Sequence, residues 1–176
     1  MFSILASIIV SHQVKSTDAV ILTSGEYVIV IVMPTGILAR KEDFIDLSSL
    51  IKMVKDNVRE KNCGAIVTFT GIVRGKTLDG KTVEKLEYEV FEEAARKSLE
   101  EMSRALSLIS GVLDVVICHR YGTFAPGDEV LYVVLATERS STAFDVLKLA
   151  VNRVKHEIPI WKKEHTTDGS YWVEIE

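Results

Sequence analysis

Cysteine, proline and glycine are all scarce in this chain of 176 residues. Its two cysteines, Cys63 and Cys118, are too few for a disulfide framework or for a zinc site built from cysteine pairs. Three prolines and ten glycines exclude collagen-like and linker-rich chains. The hydrophobic share of 47% and the charged share of 26% are typical of a globular protein, and the length suits one domain with a short appendage.

Positive net charge and long apolar runs are missing as well. The formal net charge of -4 argues against a basic protein that wraps nucleic acid, although a local basic patch is still possible. Residues 1–10 are apolar but lack the basic start of a signal peptide, and the apolar stretch at 27–33 is too short to span a bilayer. We therefore expect a cytoplasmic protein. The two cysteine thiols are expected to be buried in apolar strands and to have a structural role.

The common catalytic and nucleotide-binding motifs are also absent. The chain has no P-loop, no G-x-G-x-x-G, no G-x-S-x-G and no H-E-x-x-H. Its four histidines do not have the spacing of a metal site. We therefore expect neither a metal ion nor a cofactor.

The first 36 residues differ from the rest of the chain. Asp18 to Val32 predicts a β-hairpin around a Ser-Gly-Glu turn, and residues 33–36, Met-Pro-Thr-Gly, predict a break after it. A lone hairpin is not stable by itself, so we expect it to pack on the main domain or on a partner. We predict an N-terminal extension of unknown role over residues 1–36 and a catalytic domain over residues 37–176.

From residue 37 onward, hydrophobic periodicity predicts three helices and six strands. Asp46 is expected to cap the first helix, and each of the first two helices has one apolar stripe. Asp79-Gly80 indicates a turn that joins the first two of these strands in a hairpin, and Pro159 ends the last helix. The fold class is therefore α+β, with a mostly antiparallel sheet. The predicted helices are 47–61, 92–109 and 140–157, and the predicted strands are 64–74, 83–90, 112–119, 129–137, 160–163 and 171–175.

A cluster of cations near the C-terminus is the clearest chemical feature. Residues 148–163 hold five lysines and arginines against one anion, Glu157, in a chain that is acidic overall. Such a patch can bind a phosphate or a carboxylate, and its structural alternative is a solvated helix face. Lys155 falls in the last turn of a predicted helix and Lys162 in the next strand, so both ammonium groups can point into one pocket.

Two arginines are further candidates for anion binding. Arg74 ends an apolar strand beside a glycine-containing loop, and Arg139 precedes a helix N-terminus that itself attracts anions. The structural alternatives are a charge at a hairpin end for Arg74 and helix capping by Ser140 and Ser141.

Several blocks, taken in order, resemble the catalytic (large) subunit of molybdopterin synthase. The resemblance covers residues 37–176, and its most specific block is Pro-Ile-Trp-Lys-Lys-Glu at 159–164. The other blocks are Gly-Ala-Ile-Val-Thr-Phe-Thr-Gly-Ile-Val-Arg at 64–74, His-Arg-Tyr-Gly at 119–122, Pro-Gly-Asp-Glu at 126–129, Arg-Ser-Ser at 139–141, Ala-Phe at 143–144 and Lys-His-Glu-Ile at 155–158.

The resemblance implies an α+β homodimer within a heterotetramer that includes two small ubiquitin-like subunits. A thiocarboxylate at the C-terminal Gly-Gly of the small subunit enters a pocket of the large subunit. Two sulfurs then pass to cyclic pyranopterin monophosphate and form the dithiolene of molybdopterin. By motif match, Lys155 and Lys162 are the catalytic and substrate-binding lysines. Arg74 is the substrate-pocket arginine, and Arg139 acts across the dimer interface.

One position departs from the family pattern. Glu138 stands where family members often have histidine, and a carboxylate cannot donate a hydrogen bond to a phosphate as imidazolium can. This departure leaves open a non-catalytic anion- or partner-binding module on the same fold. A third hypothesis is a nucleic-acid-binding domain that uses the C-terminal basic patch, but the negative net charge of the chain argues against it.

Overall fold

The structure is a computed structural model that describes residues 19–24, 27–32 and 35–173. Nine strands and three helices lie within these residues. The strands are β1 (Ala19–Ser24), β2 (Tyr27–Val32), β3 (Thr35–Arg40), β4 (Ala65–Ile72), β5 (Val83–Val90), β6 (Val112–Phe124), β7 (Glu129–Thr137), β8 (Ile160–Thr166) and β9 (Gly169–Trp172). The helices are α1 (Leu47–Asn57), α2 (Glu92–Ser107) and α3 (Ser140–Glu157).

The N-terminal hairpin is confirmed. Strands β1 and β2 pair in antiparallel register from Ala19 opposite Val32 to Ser24 opposite Tyr27, and they form a separate two-stranded sheet. The turn at residues 25–26 lies outside the described residues. The packing of this hairpin on the main domain or on a partner remains a prediction.

A seven-stranded sheet forms the rest of the fold, in the order β4-β7-β6-β5-β8-β9, with β3 paired to β6 as well. Every pair in it is antiparallel except β3 with β6. The predicted α+β class, with three helices and a mostly antiparallel sheet, is confirmed. Among the described residues, no helix is both long enough and apolar enough to cross a membrane.

Strand β3 replaces part of the predicted break. It begins at Thr35 and runs parallel to β6, with Thr35 opposite Val116. Gly36 is required by a close approach rather than by a turn, because a Cβ there would lie 2.3 Å from the carbonyl carbon of Leu99 in α2. The predicted division between residues 36 and 37 therefore falls inside β3.

The predicted hairpin of β4 with β5 is wrong. Strand β4 pairs with β7, whereas β5 pairs with β6 and β8. The connection does turn at Gly80, whose φ of 88° favours glycine, but its only pairing is the isolated bridge of Lys76 with Thr82. Strand β6 is 13 residues long and extends to Phe124, so it can pair with β7 along its first part and with β5 at its end.

The helices cover both faces of the sheet. Leu99 and Leu106 of α2 join Val146 and Val154 of α3 in a core on one face, and Leu50 and Val54 of α1 belong to a core on the other. The predicted apolar stripes of α1 and α2 are therefore the buried stripes. Helices α1 and α2 are shorter at their C-terminal ends than the predicted 47–61 and 92–109.

The helix ends follow local chemistry in two of three predicted cases. Asp46 caps α1 by accepting a 3.0 Å hydrogen bond from the backbone N–H of Ser49. Ile158 adopts an extended ψ of 130° before Pro159, which ends α3 as predicted. Capping of α3 by Ser140 or Ser141 is wrong, because Arg139 occupies the N-cap position and makes no side-chain capping bond.

Candidate functional site

Strands β5 and β8 form a ribbon with two chemically different faces. In the antiparallel register Tyr88 lies opposite Lys162 and Leu86 opposite Glu164, so these four side chains share one face, here called the inner face. The outer face carries the alternate residues, Glu87, Glu89, Trp161, Lys163 and His165. Leu86 packs in a small core with Val73, Phe124 and Val130, which covers one end of the inner face.

An ion pair lies on the inner face. The Nζ of Lys162 lies 3.1 Å from Oε1 of Glu164, and the two side chains are only 26% and 10% exposed. Strand geometry explains the pairing, because residues two apart on a strand point to the same side. A partly buried ammonium group held by one carboxylate has fixed direction, and its remaining donors can receive an anionic ligand.

Two rings pack beside this ion pair. The Tyr88 ring makes an edge contact with the His119 ring, with centroids 5.1 Å apart and an interplanar angle of 81°. Nδ1 of His119 lies 2.8 Å from the carbonyl oxygen of Arg120. Burial lowers the pKa of His119 to about 4, so its imidazole is neutral at physiological pH. Burial, and secondly the charge of Glu164, raises the pKa of Tyr88 to about 12.

Lys155 lies in the last turn of α3, as predicted. It is exposed, while its neighbour Val154 and the following Ile158 are buried and anchor the helix end. Lys162 lies in β8, the next strand along the chain, also as predicted. The convergence of both ammonium groups on one pocket remains a prediction.

The C-terminal cation cluster is less positive than its sequence indicates. Arg153 makes a two-pronged pair with Glu157 at 2.7 and 2.6 Å, and Lys162 is paired with Glu164. Within the described part of the chain, Lys148, Lys155 and Lys163 form no ion pair. Lys163 lies on the outer face, with its Nζ 5.3 Å from the ring centroid of Trp172.

The two arginines both lie at the surface. Arg74 follows β4 by two residues and is exposed, but the preceding Val73 is buried against Leu86 and Phe124 at the edge of the inner face. Arg139 is exposed at the start of α3, directly after the exposed Glu138. Their predicted roles in substrate binding and across a dimer interface remain predictions.

The two cysteines lie away from the inner face. Cys118 is fully buried in the core on the α1 side, and burial raises the pKa of its thiol to about 12, so it is not a thiolate at neutral pH. Cys63 packs against the same core and donates a hydrogen bond of 3.5 Å to the carbonyl of Ala65. No group of three or more metal-ligating side chains occurs in the described segments.

Sequence reasoning missed Tyr88, and it quoted Glu164 within a motif without giving it a role. Alternation along β8 is a signal that could have found Glu164, since it places this residue on the same side as Lys162. No local signal could have found Tyr88, because its position opposite Lys162, 74 residues further along the chain, depends on the pairing of β5 with β8.

The chain is similar to known proteins over most of its length. The family model described as "MoaE protein" matches residues 40–157. A probable molybdopterin synthase of Haloferax volcanii is 35% identical over 133 residues, which span 75% of this chain but only 51% of that protein. The molybdopterin synthase catalytic subunit of Pyrococcus abyssi is 32% identical over 137 residues, with 78% of this chain and 89% of that protein covered.

Solved structures share the fold. The crystal structure of molybdopterin synthase from Staphylococcus aureus superposes with a TM-score of 0.68 at 27% identity, over 79% of this chain and 96% of that one. A complex of subunits 1 and 2 of molybdopterin-converting factor from Helicobacter pylori contains a chain with a TM-score of 0.60. That chain is 22% identical, with 78% of this chain and 90% of that one covered, so it shows the fold alone.

Proposed function

This chain belongs to the MoaE protein family, and on that premise we propose that it is the catalytic subunit of molybdopterin synthase. It transfers sulfur from the thiocarboxylated C-terminus of a small ubiquitin-like subunit to cyclic pyranopterin monophosphate, and the product is the dithiolene of molybdopterin. The enzyme is a sulfurtransferase of molybdenum cofactor biosynthesis.

The observation that carries this proposal is the Lys162–Glu164 pair on the inner face. Both reactants are anions, since one bears a phosphate and the other a thiocarboxylate. A lysine that is already oriented and partly shielded from water stabilises developing negative charge without first reorganising solvent. Glu164 fixes the ammonium group, and the free donors of Lys162 face the reactants.

Lys155 and Arg74 extend this site in the proposal. Lys155 is exposed and forms no ion pair among the described residues, so its charge is available to a reactant. Arg74 lies one residue beyond Val73, at the edge of the inner face. A lysine pair and a guanidinium can together hold the phosphate and the thiocarboxylate in reach of each other.

The assembly in the proposal is a homodimer within a heterotetramer. Arg139 is exposed at the N-terminus of α3, where it is free to reach the pocket of a second copy. The small subunit brings the sulfur, so neither Cys63 nor Cys118 needs to carry it. Two unpaired thiols suit the reducing cytoplasm, which we propose as the location.

A non-catalytic binding module on the same fold is the second candidate. The observation in its favour is Glu138, a carboxylate directly before Arg139, because it would repel a phosphate that Arg139 binds. A module of this kind would bind the small subunit or the pterin without producing molybdopterin.

One reconstitution separates the two candidates. The purified chain is mixed with thiocarboxylated small subunit and cyclic pyranopterin monophosphate, and molybdopterin is measured. We expect product to form in proportion to the amount of chain added, and none with small subunit that ends in an ordinary carboxylate. Folded components that bind each other but form no product would support the non-catalytic module.

A further inference from the structure

Tyr88 stands at the middle of the inner face with its ring held on two sides. It lies opposite Lys162 in the β5–β8 register. Its ring contacts His119 at 5.1 Å and Phe124 at 6.1 Å between centroids, both in edge geometry. These contacts fix the direction in which the hydroxyl group points.

The hydroxyl group of Tyr88 has no hydrogen-bond partner among the described residues, unlike those of two other tyrosines. Tyr132 donates to Oε2 of Glu129 at 2.6 Å, and Tyr121 accepts from Nε of Arg40 at 2.8 Å. The hydroxyl of Tyr88 is not sealed in the core either, because Arg120 Nε is the one buried side-chain N or O atom without a partner in the described residues. Tyr88 is half-buried rather than fully buried, and its side chain lies on the same face as Lys162.

The local charges restrict what this hydroxyl can bind. Glu164 is paired with Lys162 at 3.1 Å, and its charge acts on the Tyr88 phenol. The phenol remains protonated at physiological pH, so it is a neutral donor. A neutral phenol offers a hydrogen bond but no positive charge, so it suits an uncharged acceptor, whereas a phosphate binds more strongly to the cations.

We propose that Tyr88 is an additional substrate-binding residue, whose hydroxyl donates a hydrogen bond to an uncharged acceptor, a carbonyl oxygen or ring nitrogen, on the pterin. This inference rests on the proposed function. In this proposal Tyr88 recognises the pterin ring, whereas Lys155, Lys162 and Arg74 recognise the charged groups of the reactants. The aromatic ring of Tyr88 packs against His119 and Phe124 and so stabilises the fold, while its hydroxyl group binds the pterin.

The test is Tyr88→Phe, which removes one oxygen and keeps both ring contacts. We expect KM for cyclic pyranopterin monophosphate to rise about 3- to 10-fold, the effect of one neutral hydrogen bond. We expect kcat to change less than about twofold, because the hydrogen bond to the pterin is equally strong in the ground state and the transition state. KM for the small subunit should stay the same, because the hydroxyl group does not contact that partner. The melting temperature should stay close to that of the unmodified protein.

Tyr132→Phe is the matched control. It also removes a tyrosine hydroxyl, but on the α1 side of the sheet, where the lost partner is Glu129. Its kinetic constants should equal those of the unmodified chain. An unchanged pterin KM in Tyr88→Phe would overturn the inference, as would a rise confined to the small subunit, which would assign the hydroxyl to the partner's tail. An unmodified chain that forms no molybdopterin would instead refute the proposed function.

Discussion

Lys162 and Lys163 are adjacent in sequence and lie in two different environments. Lys162 points to the inner face and pairs with the nearly buried Glu164. Lys163 points to the outer face, where its ammonium group lies over the Trp172 ring. The two lysines have the same intrinsic chemistry, so strand alternation alone decides which one can serve a reaction.

The two faces differ in more than these lysines. The inner face combines a shielded ion pair with an unpartnered phenol and a neutral histidine. The outer face exposes Trp161 and Trp172 and pairs His165 with Glu87 at 2.9 Å and with Ser170 at 2.8 Å. Glu87, His165 and Ser170 satisfy one another on this face, so the comparison predicts that substitutions there leave catalysis intact.

The largest expected effect is at Lys155, which tests whether the inner face extends to the end of α3. Lys155→Ala should reduce molybdopterin formation by about 100-fold or more, the scale of one lost preorganised charge. The fold should persist, because the side chain is exposed. Initial rates in the reconstituted assay measure the effect, and a Lys155→Ala enzyme within a few-fold of normal would remove Lys155 from the site.

Lys155→Arg sharpens that result. Arginine keeps the positive charge but has no accessible neutral form. A near-normal rate in this variant would show that positive charge is the sole requirement at this position. A loss as large as that of Lys155→Ala would support proton transfer by Lys155, or a requirement for the exact position of its ammonium group.

The next effect concerns the second copy of the chain. Arg139→Ala and Lys155→Ala chains should each be nearly inactive, but a mixed dimer contains one pocket with both residues intact if Arg139 acts across the interface. Mixing the two should therefore restore part of the activity. Mixtures that stay inactive although subunit exchange is demonstrated would show that Arg139 does not act across the interface.

Glu164 tests the ion pair itself. Glu164→Gln keeps the shape of the side chain but removes the charge that orients Lys162, so we expect about a 10-fold loss of kcat, in line with the loss of one charged hydrogen bond. Glu87→Gln is the matched control on the outer face, where it affects only the contact with His165. Equal losses in both variants would mean that the two faces do not differ in function.

The smallest effect is expected for the cysteines. Sulfur enters with the partner in the proposed mechanism, and Cys118 is buried in the α1-side core with its thiol protonated. The Cys63→Ala/Cys118→Ala protein should keep its transfer activity once folded, with a lower melting temperature from the small cavity at Cys118. Loss of transfer in a well-folded double variant would indicate a persulfide relay.

The sequence predicted those parts of the fold that depend on local pattern. The apolar stripes of α1 and α2, the Asp46 cap and the end of α3 before Pro159 all follow from residues close together in the chain. The same local patterns placed Lys155 in the last turn of α3 and Lys162 in β8.

The errors share a different origin. Strand β3 pairs with β6, about 80 residues away, and the presumed partners β4 and β5 each find other strands. Turn chemistry at Gly80 gave no information on which strands would pair. The sequence analysis missed Tyr88 for the same reason, since its position opposite Lys162 depends on pairing with a distant strand rather than on its neighbours in the chain.

The most direct test of the account compares Lys162→Ala with Lys163→Ala in the reconstituted assay. Each change removes one lysine ammonium group from β8, and the two sites differ only in the face they occupy. We predict that Lys162→Ala loses about 100-fold or more of the rate of molybdopterin formation, while Lys163→Ala stays within about threefold of the unmodified enzyme. Equal losses, or a larger loss for Lys163→Ala, would contradict the assignment of sulfur transfer to the inner face.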